Sequence, residues 1–193
     1  VYNNIMPTAY MWDGDANQYA YYNWITNTGV NGASQYIPAG QSFFVKSTGF
    51  GVVPAYTFTE ESRAFGSQQY YKQDATDVIR LQLNGEQMKN EAVVMFNANA
   101  SAALDHSYDA FALKASEINF IYTRSTENYD LAINTLTSPE VNNVVPVYMD
   151  VFKTGTYTIT ASGLENSTFS MPVWFTDLKT GISQNLIENP VYS

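Results

Sequence analysis

The chain has 193 residues, 45% of them hydrophobic, and its nine basic and eighteen acidic residues give a formal net charge of −9. This hydrophobic content is enough for a sizeable core and excludes a disordered chain. The acidic balance disfavours nucleic acid and anionic lipid surfaces as partners, because the field around the protein repels phosphate groups.

Cysteine is absent, which excludes disulfides and thiolate metal sites. No apolar run approaches the ~20 residues that a membrane-spanning helix needs, so we expect no membrane insertion. The chain opens at Val1 without a leader, and we expect it to be a piece of a longer protein.

The first predicted element is a β-hairpin over Ala9 to Asn23, AYMWDGDANQYAYYN. Asp13, Asp15 and Asn17 place oxygen ligands at alternate positions between its two aromatic runs, which is how a calcium loop opens. The EF-hand pattern fails, because Gln18 takes the glycine position and Trp24 the position of the last carboxylate. Two interpretations stay open: a looser calcium site, or a turn in which Asp and Asn side chains bind nearby backbone N–H groups.

The same hairpin offers a candidate glycan-binding surface. Sugar rings stack on flat aromatic faces while neighbouring amides bind the hydroxyls. Strand alternation sends Tyr19 and Tyr21 to one face and Tyr22 and Trp24 to the other, so at least one of these faces belongs to the core. The candidate ligand-binding residues are Trp12, Tyr19, Tyr21, Tyr22 and Trp24.

Further along the chain, Pro38 to Gly40 predicts a turn, and the apolar strand Phe43 to Val45 follows it. The composition changes over Gln68 to Asp77, QQYYKQDATD. We place a boundary there, between an N-terminal unit 1–72 that is rich in aromatic residues and glycine and a C-terminal unit 77–193.

The C-terminal unit has the more regular strand pattern. Alternation predicts strands at Arg80 to Asn84, at Tyr129 to Asn134 with Tyr129, Leu131 and Ile133 on one face, and at Tyr157 to Ala161. Short apolar runs predict two more strands at Ala92 to Phe96 and Met171 to Phe175. The predicted fold is all-β, an antiparallel β-sandwich or jelly roll, either with one shared core or as two packed β units.

Catalytic signals are weak. His106 is the single histidine, and its neighbours Asp105 and Asp109 are typical of a strand-end turn. Glycoside hydrolysis needs two acids that flank the scissile bond, and no spacing among the acids selects such a pair. These scattered acids are Glu60, Glu61, Glu86, Glu91, Glu117, Glu127 and Asp130.

Three blocks of the sequence resemble, in order, segments of large secreted surface proteins of Bacteroidota. Tyr36 to Lys46, YIPAGQSFFVK, is similar to their "IPAGQGFFV" signature, and a strand that ends at an arginine follows it, here Phe58 to Arg63. The second block runs from Arg80 to Ala110 and the third from Phe175 to Ser193. This chain departs from the pattern at Ser42, where glycine is usual, and both ends look truncated.

The resemblance implies a non-catalytic β module that precedes a C-terminal sorting domain for type nine secretion. We therefore expect a secreted or cell-surface structural or adhesion module that assembles through open strand edges with other segments or copies of its parent protein. Glycan binding is the alternative function, and glycoside hydrolysis is a third. We expect no enzymatic activity and no cofactor other than calcium.

Overall fold

The computed structural model describes residues 2–64, 77–86, 88–140, 143–168 and 171–193. These ranges contain β-strands and two short 3₁₀ turns, Glu60–Ser62 and Leu164–Asn166, and no α-helix, so the all-β prediction is confirmed. The strands are β1 Tyr2–Asn3, β2 Thr8–Asp13, β3 Gln18–Asn23, β4 Thr28–Val30, β5 Phe43–Phe44, β6 Ala55–Tyr56, β7 Val78–Asn84, β8 Lys89–Phe96, β9 Ala110–Phe111, β10 Phe120–Arg124, β11 Asp130–Leu136, β12 Val147–Asp150, β13 Thr158–Ser162, β14 Trp174–Thr176, β15 Ser183–Asn185 and β16 Val191–Tyr192.

The predicted hairpin is formed by β2 and β3. Their register pairs Trp12 with Tyr19 and Asp13 with Gln18, and the chain reverses between Asp13 and Gln18. Asn17 has a positive φ of 53°, which asparagine tolerates better than most residues. With β4 and β5 this hairpin makes a four-stranded sheet in the order β4-β3-β2-β5.

A larger sheet of eight strands forms the centre of the molecule. Its order is β12-β10-β11-β8-β7-β13-β16, with β9 paired to β11. The pairing departs from the predicted antiparallel pattern at one place, because β8 and β11 are parallel. A parallel pair needs a long crossover, and the chain between Phe96 and Asp130 supplies it.

The two sheets share one core. Tyr10, Tyr21 and Val30 of the four-stranded sheet pack against a group of central-sheet residues. That group is Val78, Val93, Met95, Ala110, Ala132 and Ile133. The units predicted as 1–72 and 77–193 therefore pack on one another, although 65–76, where the boundary was placed, lies outside the described residues.

Buried polar groups join the two sheets as well. Nη1 of Arg80 donates to the carbonyl of Gly29 at 2.8 Å and lies 3.2 Å from the Glu91 carboxylate, with both charged side chains at most 10% exposed. Asn31 accepts from the Glu91 backbone N–H at 2.8 Å and donates to the Tyr19 carbonyl at 2.8 Å. Such a buried ion pair needs these extra bonds, because they offset the cost of removing two charges from water.

The opposite face of the central sheet has a second core. Ile79, Leu81, Val94 and Ile159 lie there, and residues of the β14–β15 hairpin region cover them. These covering residues include Val173, Phe175 and Leu186. The central sheet is thus buried on both faces, which explains the continuous apolar run of β8.

Two local predictions were wrong, and a third, the strand at Met171 to Phe175, is right only for its last two residues, because β14 is Trp174–Thr176. Tyr129 precedes β11 and is 44% exposed, whereas Leu131 and Ile133 are fully buried, because the chain turns at Asn128 before the strand begins. Phe58 to Arg63 is not a strand: it contains the exposed 3₁₀ turn Glu60–Ser62, in which the backbone N–H of Arg63 donates to Glu60 at 3.1 Å.

Candidate functional site

The hairpin aromatic residues take different positions in the structure. Tyr21 is 1% exposed, and its hydroxyl bonds to the backbone of Leu113, so its assignment as a ligand-stacking residue was wrong. Burial raises the pKa of the Tyr21 hydroxyl well above its usual range. Tyr19 is half-buried against the shared core and meets Trp12 edge to face at 5.0 Å. Trp12 is the most accessible of the three, at 38% exposure.

Tyr22 and Trp24 lie on the other face, as alternation predicts. Tyr22 is half-buried and donates to the side chain of Asn27 at 3.0 Å. Trp24 lies 5.2 Å from the ring of Tyr2 and 5.8 Å from that of Tyr56, in edge-to-face contacts. The five predicted residues therefore do not form one platform, because the core separates Tyr21 from the surface and the sheet separates Trp12 from Trp24.

The candidate calcium residues lie in the β2–β3 turn. Oδ1 of Asp13 accepts backbone N–H groups from Asp15 at 3.0 Å and Ala16 at 3.1 Å. This is the geometry of the turn interpretation, in which Asp13 binds its own loop. Across the described ranges, no three His, Cys, Asp or Glu residues converge as a metal site.

The stretch around His106 is a structural turn. Asp109 is fully buried, and its two carboxylate oxygens accept backbone N–H groups from Asp105 and Thr135, each at 2.8 Å. Burial, partly opposed by these two bonds, raises the pKa of Asp109 to about 7. Asp105 accepts from the backbone of Ser107 at 3.0 Å, while His106 is exposed.

A charged and aromatic cluster that the sequence did not predict lies where β10, β11 and β12 meet. The rings of Tyr122 and Tyr148 stack at 5.5 Å. Lys114 bridges Asp130 at 2.8 Å and Asp150 at 2.7 Å, with its ammonium 3.6 Å from the centre of the Tyr122 ring. Burial lowers the pKa of Lys114, but its bonds to the two aspartates outweigh that effect and raise it overall.

Arg124 completes this cluster. Its Nε lies 2.6 Å from Asp130, and its guanidinium lies 4.2 Å from the centre of the Tyr148 ring. Burial raises the pKa of Asp130, and the bonds to Lys114 and Arg124 more than reverse this, so the carboxyl pKa falls below its usual range. The cluster fixes β12 to its neighbours through side chains in addition to the backbone ladder.

Beside this cluster is a groove of about 490 Å³. One wall is the β10–β11 turn and the end of β11, and the other is the segment that leads into β12. The lining is mixed in chemistry, with Arg124, Asn128, Asn134, Glu140, Asn143 and Tyr148 among its members.

The edge of the central sheet at β12 is open. β12 pairs with β10, and no other described strand pairs with it. The backbone N–H of Ile121 donates to the side chain of Asn90 at 2.9 Å and so points away from β12. Ile121 and its partner Met149 are therefore a pair without mutual backbone bonds, and the N–H and C=O of Met149 face outward.

By the same alternation the backbone groups of Val147 and Val151 also face outward. Phe152 agrees with this assignment, because its N–H points inward to Asn119 at 2.7 Å. Exposed apolar side chains accompany the open backbone: Met149 is 47% exposed, Val151 44% and Phe152 56%. The alternation of Val147 to Val151 was a signal for this strand in the sequence, but its open edge follows only from the pairing.

At the other edge of the sheet, β16 is less open. The side-chain amide of Gln184 donates to the carbonyl of Val191 at 2.8 Å and to that of Asn189 at 2.7 Å. β16 has two residues, whereas β12 has four. Of the two edges, β12 offers the longer row of backbone donors and acceptors.

No helix within the described ranges has the length and apolar character needed to cross a membrane. No curated protein and no solved structure matched the chain. One family model, described as "Domain of unknown function (DUF8693)", matches residues 2–193. Since this match covers nearly the whole sequence, the chain belongs to the DUF8693 family.

Proposed function

We propose that the chain is a non-catalytic structural or adhesion module of a larger secreted or cell-surface protein, and that it joins another copy or segment of that protein by strand pairing at β12. The observation that carries the pairing is the outward-facing backbone of Val147, Met149 and Val151, flanked by exposed apolar side chains. An unpaired strand edge is a template for another strand, and natural proteins usually block such edges with lysine, proline or a bulge.

At β12, residues that block strand pairing lie at the two ends of the open edge but not within it. Pro146 precedes β12 and Lys153 follows Phe152, while Val147 to Phe152 contains neither residue type. The one charge in this stretch, Asp150, is neutralised by Lys114. A short incoming strand thus meets free backbone groups and apolar side chains, and the flanking residues limit its length. The extracellular location rests on the resemblance of the three sequence blocks.

The test is sedimentation velocity over about 10 to 300 µM protein, a range that detects weak pairing. The wild-type chain should associate as its concentration rises. Met149→Pro should remain monomeric, because proline removes an outward N–H and leaves the internal ladder with β10 intact. The matched control Met149→Ile keeps both this N–H and an apolar side chain and should associate like the wild type.

Hydrogen exchange is an independent test of strand pairing at β12. If β12 pairs, the amides of Met149 and Val151 gain protection as concentration rises. A wild-type chain that is monomeric throughout, with these two amides exchanging freely, would contradict self-assembly through this edge. Association that persists unchanged in Met149→Pro would place the contact elsewhere.

A further inference from the structure

We propose that the groove beside β12 is a binding site for a neutral oligosaccharide. It is distinct from the hairpin aromatic residues and does not depend on pairing at the β12 edge. Its volume of about 490 Å³ lies within the usual range for small-molecule sites and exceeds the size of a single sugar ring. The polar groups that line the groove and its charge balance both suit such a ligand.

The groove presents both hydrogen-bond donors and acceptors. Asn134 is 2% exposed and donates its amide N–H to the carbonyl of Arg124 at 3.4 Å, and no donor from the described part of the chain reaches its amide oxygen. The side chain of Asn128 is exposed and has no hydrogen-bond partner among the described residues. Amides of this kind suit sugar hydroxyls, each of which both donates and accepts.

The remaining polar groups extend this lining. Asn143 donates its amide N–H to the carbonyl of Ser138 at 2.8 Å, and Glu140 accepts from the Ser138 hydroxyl at 3.4 Å. Tyr148, whose ring also contacts Tyr122 and Arg124, adds half-buried aromatic surface, and apolar surface comes from Val144, Val145 and Pro146. A sugar has apolar C–H faces and polar edges, so it matches a groove that offers an aromatic ring and amides together.

The charged residues that line the groove favour a neutral ligand over an anion. The guanidinium of Arg124 is the cation in the lining, and Asp130 already neutralises it at 2.6 Å. Glu140 adds a negative charge to the groove, and the whole chain has a net charge of −9. A carboxylate or phosphate would therefore compete with Asp130 and be repelled, whereas a polyhydroxyl ligand has no such cost.

The experiment is an NMR titration of backbone amides with cellotriose, maltotriose and chitotriose, each raised to about 10 mM, which detects weak binding. It uses the full chain with Met149→Pro, so that self-association does not interfere. At least one sugar should shift the amides of Arg124, Asn128 and Asn143. Shifts at Trp12 or Trp24 instead, or none with any sugar, would overturn the proposal.

Two further variants test the residues. Asn128→Gly keeps the positive φ of 65° at this position and removes the amide, and it should weaken binding about fivefold, the usual effect of one lost hydrogen bond. The matched control Asn17→Gly changes another exposed asparagine with positive φ, in the distant hairpin turn, and should leave binding unchanged.

Equal affinity for Asn128→Gly and the parent chain would place the sugar elsewhere. Trigalacturonate is the charged comparison and should bind more weakly than the neutral trisaccharides. Tighter binding of the acidic sugar would overturn the choice of a neutral ligand.

Discussion

Tyr21 and Tyr22 are neighbours of the same residue type with different structural roles. The Tyr21 hydroxyl accepts the N–H of Leu113 and donates to its carbonyl, each at 3.1 Å, and so bonds the hairpin to the segment after β9. The Tyr22 hydroxyl instead lies at the surface, bonded to Asn27. Strand alternation predicts that they point in opposite directions, but the packing partner decides which one is buried.

Tyr21→Phe should lower the free energy of unfolding by about 1 to 2 kcal/mol, because it leaves a backbone N–H and C=O without their partner. Tyr22→Phe is the matched control and should change stability by less than about 0.5 kcal/mol, since water replaces its bond. Urea denaturation measures both. Equal losses in the two variants would contradict the assigned roles.

The buried Asp109 gives stability a pH dependence. Its folded pKa of about 7 lies above the ordinary value of 3.8, so the folded state binds this proton more tightly than the unfolded state. The contribution is present below about pH 4 and is lost as the pH rises toward 7. Between pH 4.5 and pH 7.5 the wild type should therefore lose stability relative to Asp109→Asn, by on the order of 1 to a few kcal/mol.

Urea denaturation of both chains at the two pH values measures this difference. The comparison with the asparagine variant removes the pH dependence that all other groups contribute. If the stability of the wild type relative to Asp109→Asn instead increased with pH, the pKa of Asp109 would be lowered in the folded state. The two backbone N–H bonds to its carboxylate would then outweigh the effect of burial.

Among the elements, the turn after β4 depends on one glycine. A Cβ built on Gly29 would overlap the backbone carbonyl of Ala33, and the carbonyl of Gly29 accepts the buried Arg80 guanidinium. Because this contact would be made with backbone atoms, no flexible side chain can move aside to make room for the added Cβ. The sequence shows only a glycine at this position: the folded turn brings it against the Ala33 carbonyl, and the packing of β4 on the central sheet brings its own carbonyl to Arg80.

Gly29→Ala should destabilise the fold by about 2 to 4 kcal/mol, because the alanine must displace the turn or the Arg80 contact. Gly49→Ala is the matched control: nothing lies within 4 Å of its added Cβ, and its φ is not positive. Thermal unfolding followed by circular dichroism compares them. Similar melting temperatures for the two variants would contradict the close approach at Gly29.

At the scale of the whole molecule, the two sheets depend on each other. The four-stranded sheet contributes Tyr10, Tyr21 and Val30 to a core whose other buried residues come from the central sheet, and the Arg80–Glu91 pair is buried as well. Separating the two sheets would expose this apolar surface to water, together with an ion pair that is stabilised by its buried surroundings.

A protease site introduced within 65–76 should therefore allow cleavage without separation. A cut near residue 70 gives fragments of about 70 and 123 residues, and we expect them to co-elute in gel filtration and to separate only in denaturant, because the core spans the cut. The uncut chain with the same insertion is the control. Fragments that elute separately under native conditions would show two independent units.

The sequence by itself determined the elements with strong local signals. The alternation of Arg80 to Asn84 specifies a strand, because successive side chains in a strand point to opposite faces. Asp13 specifies a turn by accepting backbone N–H groups of its own loop, and Asn17 does so by tolerating a positive φ. These effects act within a few residues, so they can be read without the fold.

Only the tertiary structure determined the features that depend on contacts between residues far apart in the sequence. The parallel pairing of β8 with β11, the burial of Tyr21 and the open edge of β12 each follow from strand order, which local alternation does not encode. The groove joins the β10–β11 turn to the segment before β12, and the cluster beside it joins Lys114, Arg124 and Asp150. No sequence spacing links these residues, because their contacts arise when strands far apart along the chain become neighbours in one sheet.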